Sequence, residues 1–374
     1  MTEISRPITL HLPPRIEIGS GSAARLKDWS AGAERVLVLA SRSTAGMVGR
    51  LGLSGAVTVF DQVPGEPHDH DLDAALAEAR RVRPDLVVGL GGGSVMDIAK
   101  LVAVLWDSDQ QPAEVAGPNK VRRKCARLAQ VATTAGTGSE GGIRALFTSS
   151  ETGMKVAVES PFMLADIAVL DPGLTLSAPP ELTAATGIDA LAHCVEAFTS
   201  LKSHPLIDGY ARLGIGLVGR HLAQAVRDGS DSDARAGMML ASFYGGLCLG
   251  PVNTAAGHAV AYPLGSRASL PHGLANALVF AHVLAFNAPA VPEKTAEVLA
   301  ALGLPGSSDP AEVLQSAGGY CADLGIDMRL SAHGIGVNDL RPWAEEAHAI
   351  RRLMDNNPRP MSVDDIEAIY RAAF

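Results

Sequence analysis

The sequence predicts an N-terminal α/β domain built on a parallel sheet, followed by an all-helical C-terminal domain. In the first half, apolar strands alternate with amphipathic helices, and uninterrupted apolar strands are typical of a parallel sheet covered on both faces. From about Pro179 onward, long segments carry a helical apolar period almost to the end of the chain. We therefore predict domains at 1–177 and 178–374, with the boundary in the proline-containing segment 172–180.

The individual elements follow from local periodicity and from the residues that interrupt it. Residues 8–19, ITLHLPPRIEIG, predict two short strands with an edge that needs covering, and hence a homodimer. Further along the first domain, we predict strands at 35–40, 56–60, 85–90 and 127–132, and helices at 71–83 and 95–106.

Composition limits the class of protein. The 374 residues exceed what one hydrophobic core usually serves, and the formal charge of −9 argues against a nucleic-acid-binding surface. The four cysteines show no CxxC spacing, which indicates reduced thiols. We find no signal peptide and no apolar run of the roughly 20 residues that a membrane helix needs, so we expect a cytoplasmic protein without a membrane partner.

A glycine-rich loop follows the third predicted strand. Gly92, Gly93 and Ser94 lie between the strand DLVVGL and a helix. Glycine allows a phosphate to approach the backbone, and a helix N-terminus offers free N–H groups, so the loop is a candidate pyrophosphate site. A tight turn without a ligand would explain the same glycines. Asp97 and Lys100, one helical turn apart, are most simply interpreted as a surface ion pair.

A second polar loop, TTAGTGSE at 133–140, follows the strand RLAQVA. By default such a loop is flexible and exposed. However, α/β sheets bind ligands at the carboxyl ends of their strands. Two polar loops at this edge therefore favour a nucleotide site over two unrelated turns.

Four potential metal ligands lie in apolar segments of the second half. Asp189 and His193 are four residues apart in a predicted helix, which places both on one face, and His258 and His272 follow further along the chain. A single buried histidine is more often a core residue than a ligand. Four such groups are harder to explain without a shared ion, because burying ionisable groups without partners is costly. One carboxylate and three imidazoles suit Fe²⁺ or Zn²⁺.

Together these segments resemble the iron-containing (group III) alcohol dehydrogenases, which share the dehydroquinate-synthase-like fold. The resemblance spans nearly the whole chain and rests on PPRIEIGSG near the start, GGGSVMDIAK at 91–100, TTAGTGSE at 133–140, LDPGLTLSAPPELTAATGIDALAHCVEAF at 170–198 and HAVAYPLGSRASLPHGLANAL at 258–278. It implies a nucleotide domain, a helical metal domain and a cleft between them, in which hydride passes between NAD(P)H and a carbonyl held on the metal.

The resemblance also implies roles for individual residues. It implies that the metal ligands are Asp189, His193, His258 and His272. It implies cofactor contacts from Gly92, Gly93, Ser94, Asp97, Thr133, Thr134, Thr137, Ser139 and Lys155.

Three positions depart from the family pattern. Tyr262 stands where many members have a histidine that relays protons, although a phenol can also donate a proton. Ser41, followed by Arg42, replaces an aspartate that NAD-preferring members often use to hold the ribose, so we expect NADPH to be used as well as NADH. Arg144 replaces a neutral residue and is expected to point into the cleft.

We expect Arg144, together with Arg267, to recognise an anionic aldehyde or ketone, such as a semialdehyde or a phosphonoacetaldehyde-like compound. Alternatively, Arg144 pairs with Glu140 and only stiffens the cleft.

The leading functional prediction is a metal-dependent alcohol dehydrogenase or aldehyde reductase acting on a small molecule. Tyr262 is also consistent with a hydroxyacid–oxoacid transhydrogenase. A maleylacetate reductase is disfavoured by Asp189, since that group typically has asparagine there. A lyase resembling dehydroquinate synthase would need more basic residues beside the ligands. A non-catalytic nucleotide-binding protein is disfavoured by the intact ligand set.

Overall fold

The computed structural model describes residues 3–374, with the side chains described from residue 4 onward. The chain divides into two compact units, Leu10–Ser177 and a second unit that joins residues 3–9 to Ala178–Phe374. The first nine residues of the chain were predicted to belong to the N-terminal domain, whereas residues 3–9 cluster with the helical unit.

The first unit contains two sheets. Its strands are β1 (Ile16–Ile18), β2 (Arg35–Ala40), β3 (Ala56–Phe60), β4 (Leu86–Gly91), β5 (Gly117–Pro118), β6 (Arg127–Ala132), β7 (Arg144–Thr148), β8 (Lys155–Glu159) and β9 (Ile167–Leu170). Six of them form a fully parallel sheet in the order β1-β9-β6-β4-β2-β3. The other three form a small mixed sheet in the order β5-β8-β7.

Buried apolar side chains explain the parallel sheet. Every residue of β4, and all of β2 and β6 except the first, is buried. Helices of this unit are α1 (Leu26–Trp29), α2 (Asp69–Val82) and α3 (Gly93–Leu105). Two separate apolar clusters, with the sheet between them, form the core. Because β2, β4 and β6 are adjacent and parallel, their carboxyl ends lie at the same edge of the sheet.

The second unit is helical. Its helices are α4 (Pro180–Thr199), α5 (Pro205–Arg227), α6 (Ser232–Leu249), α7 (Ala256–Ala268), α8 (His272–Asn287), α9 (Pro292–Ala301), α10 (Pro310–Asp323), α11 (Leu340–His348), α12 (Arg351–Met354) and α13 (Val363–Ala372). Helix α4 is buried over most of its length and packs against α5, α6 and α8. The predicted fold class is confirmed, with an N-terminal α/β region and a helical C-terminal region.

Two segments, residues 8–19 and His272–Ala290, differ from what the sequence predicted. Only one strand, β1, forms where residues 8–19 predicted two, because residues 8–15 contain two prolines that cannot donate backbone hydrogen bonds to a ladder. The segment His272–Ala290 is long and apolar enough to cross a membrane by length and composition. However, 67% of its apolar window is buried in the structure, as expected of a core helix.

Candidate active site

Three helices of the second unit bring four potential ligands together. Asp189 and His193 lie one turn apart on α4, His258 lies on α7, and His272 is the first residue of α8. The Nε2 atoms of His258 and His272 are each 3.5 Å from Asp189 Oδ1, and that of His193 is 3.9 Å away. One potential ligand atom from each of the four residues lies within 4.8 Å of the other three. The structure thus brings together all four residues that the sequence singled out.

Burial makes this cluster one-sided. The side chains of Asp189, His193 and His258 are at most 5% exposed, whereas that of His272 is 34% exposed. The buried Nε2 of His258 has no hydrogen-bond partner within the described chain. A buried ring nitrogen left without a partner is costly, and a metal ion bound at the cluster would provide one. The residues therefore fit a divalent metal, with access from the side of His272.

Two further residues orient the four potential ligands. Glu196, three residues after His193 on α4, has Oε1 2.6 Å from His258 Nδ1, and its Oε2 accepts from the backbone N–H of Ala255 at 2.5 Å. Asn276, one turn along α8 from His272, donates from Nδ2 to Asp189 Oδ1 at 2.7 Å. Such outer partners fix the tautomer and the direction of metal-binding groups.

Electrostatics within the cluster favour an ionised Asp189. Burial alone raises the pKa of this carboxyl, but the imidazoles of His193, His272 and His258 together bring the pKa below its usual range. Burial lowers the pKa of His193 to about 4, so its imidazole is neutral and available as a ligand at neutral pH. Burial opposes protonation of His258 as well, but the carboxylates of Glu196 and Asp189 raise its pKa to about 10. A metal ion at this site would compete with that proton for Nε2.

The predicted cofactor loops meet in the first unit. Gly92 precedes α3 and Gly93 is its first residue. A Cβ atom on Gly92 would lie 3.0 Å from Thr134 Oγ1, and one on Gly93 would lie 2.9 Å from Thr137 Oγ1. The two loops therefore contact each other through positions that only glycine fills without displacement. They form a cradle of backbone and hydroxyl groups at the N-terminus of a 13-residue helix, which suits a pyrophosphate.

Other predicted cofactor residues border this cradle. Ser94 donates from Oγ to the carbonyl of Gly65 at 3.2 Å, and the backbone N–H of Thr133 donates to Gly91 O at 3.0 Å. Ser41 and the exposed Arg42 follow β2 directly. Ser41 belongs to a turn in which Thr44 Oγ1 donates to Leu90 O on β4 at 2.9 Å.

Asp97 and Lys100 form an ion pair, with 3.7 Å between Oδ1 and Nζ, but the pair is buried and does not lie on the surface as the sequence predicted. Lys100 is fully buried, and its Nζ donates to Ser139 Oγ and to the Arg144 carbonyl, each at 2.7 Å. Asp97 accepts from Ser139 Oγ at 2.6 Å and from the backbone N–H of Leu146 at 2.9 Å. Because α3 packs against β7, this network ties the glycine-loop helix to the hydroxyl-rich loop. The local sequence could not predict the burial of Lys100, because the strand β7 that covers it is distant in the sequence.

Two other residues predicted to lie at the site, Lys155 and Arg144, form ion pairs. Lys155 on β8 pairs with Glu66. Arg144 pairs with Glu159 on the adjacent strand at 2.7 Å, rather than with Glu140 as the alternative interpretation expected. Burial raises the pKa of Glu140 to about 7, and its Oε2 has no hydrogen-bond partner among the described residues.

Arg267 and Tyr262 lie on α7, in the helical unit. Arg267 pairs with Glu346 on α11, with Nε 2.9 Å from Oε2. The ring centroid of Tyr262 is 6.2 Å from that of His272. Tyr262 therefore lies beside the most exposed of the four potential ligands.

Sequence reasoning missed Glu196 and Asn276. Both could have been found from spacing, since Glu196 follows His193 by three residues and Asn276 follows His272 by four on the same helices. It also missed Arg352 on α12, which contacts Tyr262 and carries no local sequence signal.

Comparison with known proteins identifies the family. Residues 13–172 match the profile of iron-containing alcohol dehydrogenases, and residues 183–374 match the C-terminal profile of the Fe-containing alcohol dehydrogenase family. The chain belongs to the iron-containing alcohol dehydrogenases, which are oxidoreductases that act on CH–OH groups and use NAD(P) and a metal ion. The resemblance inferred from the sequence is thereby confirmed.

Individual relatives are similar over their full length. Long-chain-alcohol dehydrogenase 1 of Geobacillus thermodenitrificans is 36% identical, over 97% of this chain and 95% of its own. The crystal structure of a 1,3-propanediol oxidoreductase superimposes with a TM-score of 0.93 at 31% identity, covering 99% of this chain and 100% of that one. A sulfoacetaldehyde reductase from Bifidobacterium kashiwanohense, solved in complex with NAD+, gives a TM-score of 0.89 at 27% identity, covering 99% of both chains.

Proposed function

We propose that this enzyme interconverts a small aldehyde or ketone and its alcohol, using NAD(P)H and a divalent metal at Asp189, His193, His258 and His272. The observation that carries the proposal is the approach of three Nε2 atoms to Asp189 Oδ1 at 3.5–3.9 Å in a largely buried cluster. Bound there, Fe²⁺ or Zn²⁺ would act as a Lewis acid toward the substrate oxygen.

The chain's own residues prepare the site. Glu196 holds His258 through Nδ1, so that Nε2 is directed at Asp189 Oδ1. Asn276 fixes Asp189 by donating to Oδ1. A nicotinamide bound in the cradle would supply the hydride for the carbonyl carbon, and the substrate oxygen would need a proton. Tyr262, beside His272, is the residue we assign to hold that proton on Oη.

Cofactor binding is assigned to the cradle formed by Gly92, Gly93, Thr134 and Thr137. We expect both NADH and NADPH to be used, because Ser41 presents no carboxylate that would repel a 2′-phosphate, and Arg42 is exposed beside it. A preference for NADH on the order of a thousandfold, or roughly 4 kcal/mol, in steady-state kinetics would contradict this expectation.

Metal removal and restoration test the proposal. Protein stripped with a chelator should neither oxidise NADPH with small aldehydes nor reduce NADP+ with the alcohols, and should regain both activities with Fe²⁺ or Zn²⁺. Turnover that is unchanged after complete metal removal would refute the metal-dependent mechanism. Absence of turnover in the metal-loaded protein over a broad carbonyl panel would refute the assignment as a reductase.

Tyr262 favours a second candidate, a transhydrogenase that passes hydride between a hydroxy acid and an oxo acid through a retained cofactor. Deuterium transfer from a labelled hydroxy acid to an oxo acid without added NAD(P) distinguishes the two. Transfer that continues after dialysis supports the transhydrogenase, and transfer that needs free cofactor supports the dehydrogenase.

A further inference from the structure

An arginine that the sequence did not single out lies beside the metal centre. The Cζ atom of Arg352 is 5.7 Å from the centroid of the Tyr262 ring, and Nη2 donates to Tyr262 Oη at 3.4 Å. The same ring also lies near His272, with 6.2 Å between ring centroids. One aromatic ring therefore separates the Arg352 guanidinium from a residue assigned to the metal.

Among the side chains that the structure describes, no acid forms an ion pair with Arg352. Arg144 and Arg267, which the sequence analysis expected to recognise an anion, are neutralised by glutamates at 2.7 and 2.9 Å. Arg351, the preceding residue, pairs with Asp355. By contrast, no Asp or Glu whose side chain the structure describes lies within the 4.0 Å ion-pair distance of Arg352.

The backbone of Arg352 is held by buried contacts. The side chains that follow it on α12, Leu353 and Met354, are buried. Asn356 is fully buried, and its Nδ2 donates both to Arg352 O at 3.1 Å and to Thr254 O at 2.8 Å. Thr254 lies just before α7, the helix that carries His258 and Tyr262. The same amide therefore fixes Arg352 relative to the metal-binding helix.

The charge balance at the metal centre indicates that Arg352 can serve as the positively charged partner of a substrate anion. A divalent ion there would be formally balanced by the carboxylates of Asp189 and Glu196, so a substrate anion would need a cation of its own. A guanidinium offers a planar fork of donors that matches the oxygens of a carboxylate, sulfonate or phosphonate. A cation resting against an aromatic face can also turn to meet a ligand at little cost, because exposed cation–π contacts are weak.

We propose that Arg352 binds an acidic group on the substrate, and that the enzyme consequently prefers small aldehydes that carry a carboxylate, sulfonate or phosphonate. This inference rests on the aldehyde reduction proposed above and names its substrate class. Arg352 thus takes the anion-binding role that the sequence analysis expected of Arg144 and Arg267, both of which form ion pairs with glutamates.

Two matched substrate pairs test the assignment. They are 4-oxobutanoate with its methyl ester, and phosphonoacetaldehyde with its dimethyl ester. In Arg352→Met, the KM for each acid should rise about tenfold or more, the loss expected of a charge-assisted contact, while the KM for each ester changes little. Arg351→Met is the matched control on the same helix and should leave both members of each pair unchanged. Arg352→Lys should restore part of the preference for the acids.

A binding measurement separates this assignment from the reaction itself. Ethylphosphonate should bind to the metal-loaded wild type in calorimetry, and about tenfold or more weakly to Arg352→Met, with equal thermal midpoints of the two proteins excluding a folding defect. If the wild type reduces the esters as efficiently as the acids, the proposed aldehyde reduction is supported and the anion-binding role of Arg352 is refuted. If no aldehyde is reduced, the proposed function falls, and unchanged ethylphosphonate binding in the variant would overturn the anion site as well.

Discussion

Replacing Glu196 with glutamine should weaken metal binding about 10- to 100-fold, the range found for outer partners of ligating histidines. The carboxylate accepts from three donors, His258 Nδ1–H at 2.6 Å, the Ala255 N–H at 2.5 Å and, more weakly, the His258 backbone N–H at 3.4 Å. Glutamine keeps the shape but has one acceptor and one donor end. If its oxygen faces Ala255, its NH₂ group meets Nδ1, and the proton of His258 is driven to Nε2, where it blocks the metal. If its oxygen faces His258, two N–H groups oppose each other at Ala255.

Either orientation has a cost that can be bounded. A hydrogen bond to a charged group contributes about 1.5–3 kcal/mol and a neutral one about 1 kcal/mol, and a buried donor left unpaired costs about 1–3 kcal/mol. A net loss of roughly 1.4–2.8 kcal/mol in metal-binding free energy corresponds to one to two powers of ten in the dissociation constant.

Competition with a chromophoric chelator measures the dissociation constant directly, without turnover. Glu181→Gln, at an exposed position in the first turn of the same helix, is the control and should bind metal like the wild type. A Glu196→Gln variant whose metal affinity stays within about twofold of the control would refute the positioning role of this carboxylate.

Three further predictions use other parts of the molecule. His272→Ala should lower metal content and activity together, and full occupancy by elemental analysis would remove His272 from the ligand set. Glu140→Gln should stabilise the protein above neutral pH, because burial raises the pKa of Glu140 from 4.5 to about 7 and thus penalises its ionised form. This penalty is absent below pH 4.5 and reaches about 3 kcal/mol as the pH rises through 7. The two proteins should therefore unfold at equal denaturant concentration at pH 4.5 and at different concentrations at pH 8; equal midpoints at pH 8 would contradict this. The protein should be a homodimer in light scattering, since the edge strand β1 exposes 52% of Ile18, and a monomer at micromolar concentration would exclude this.

Local patterns in the sequence were sufficient for the fold class and for part of the site. The apolar runs that became β2, β4 and β6 predict a parallel sheet because such strands are buried on both faces. The spacing of Asp189 and His193 places them on one face of a helix whatever surrounds it. The turn at Gly92 and Gly93, which we propose as part of a pyrophosphate site, was likewise predictable, since glycines between a strand and a helix define a backbone geometry over a few residues.

Long-range packing decided everything that depends on distance or on charge between segments remote in sequence. The approach of His258 and His272 to Asp189 depends on how α7 and α8 pack against α4, which no spacing in the sequence encodes. The sequence thus determined which residues can share a face and which chemistry they offer. Only the tertiary structure decided that Lys100 is buried and that Arg352 has no acidic partner among the described side chains, because burial and ion pairing depend on neighbours brought together by packing.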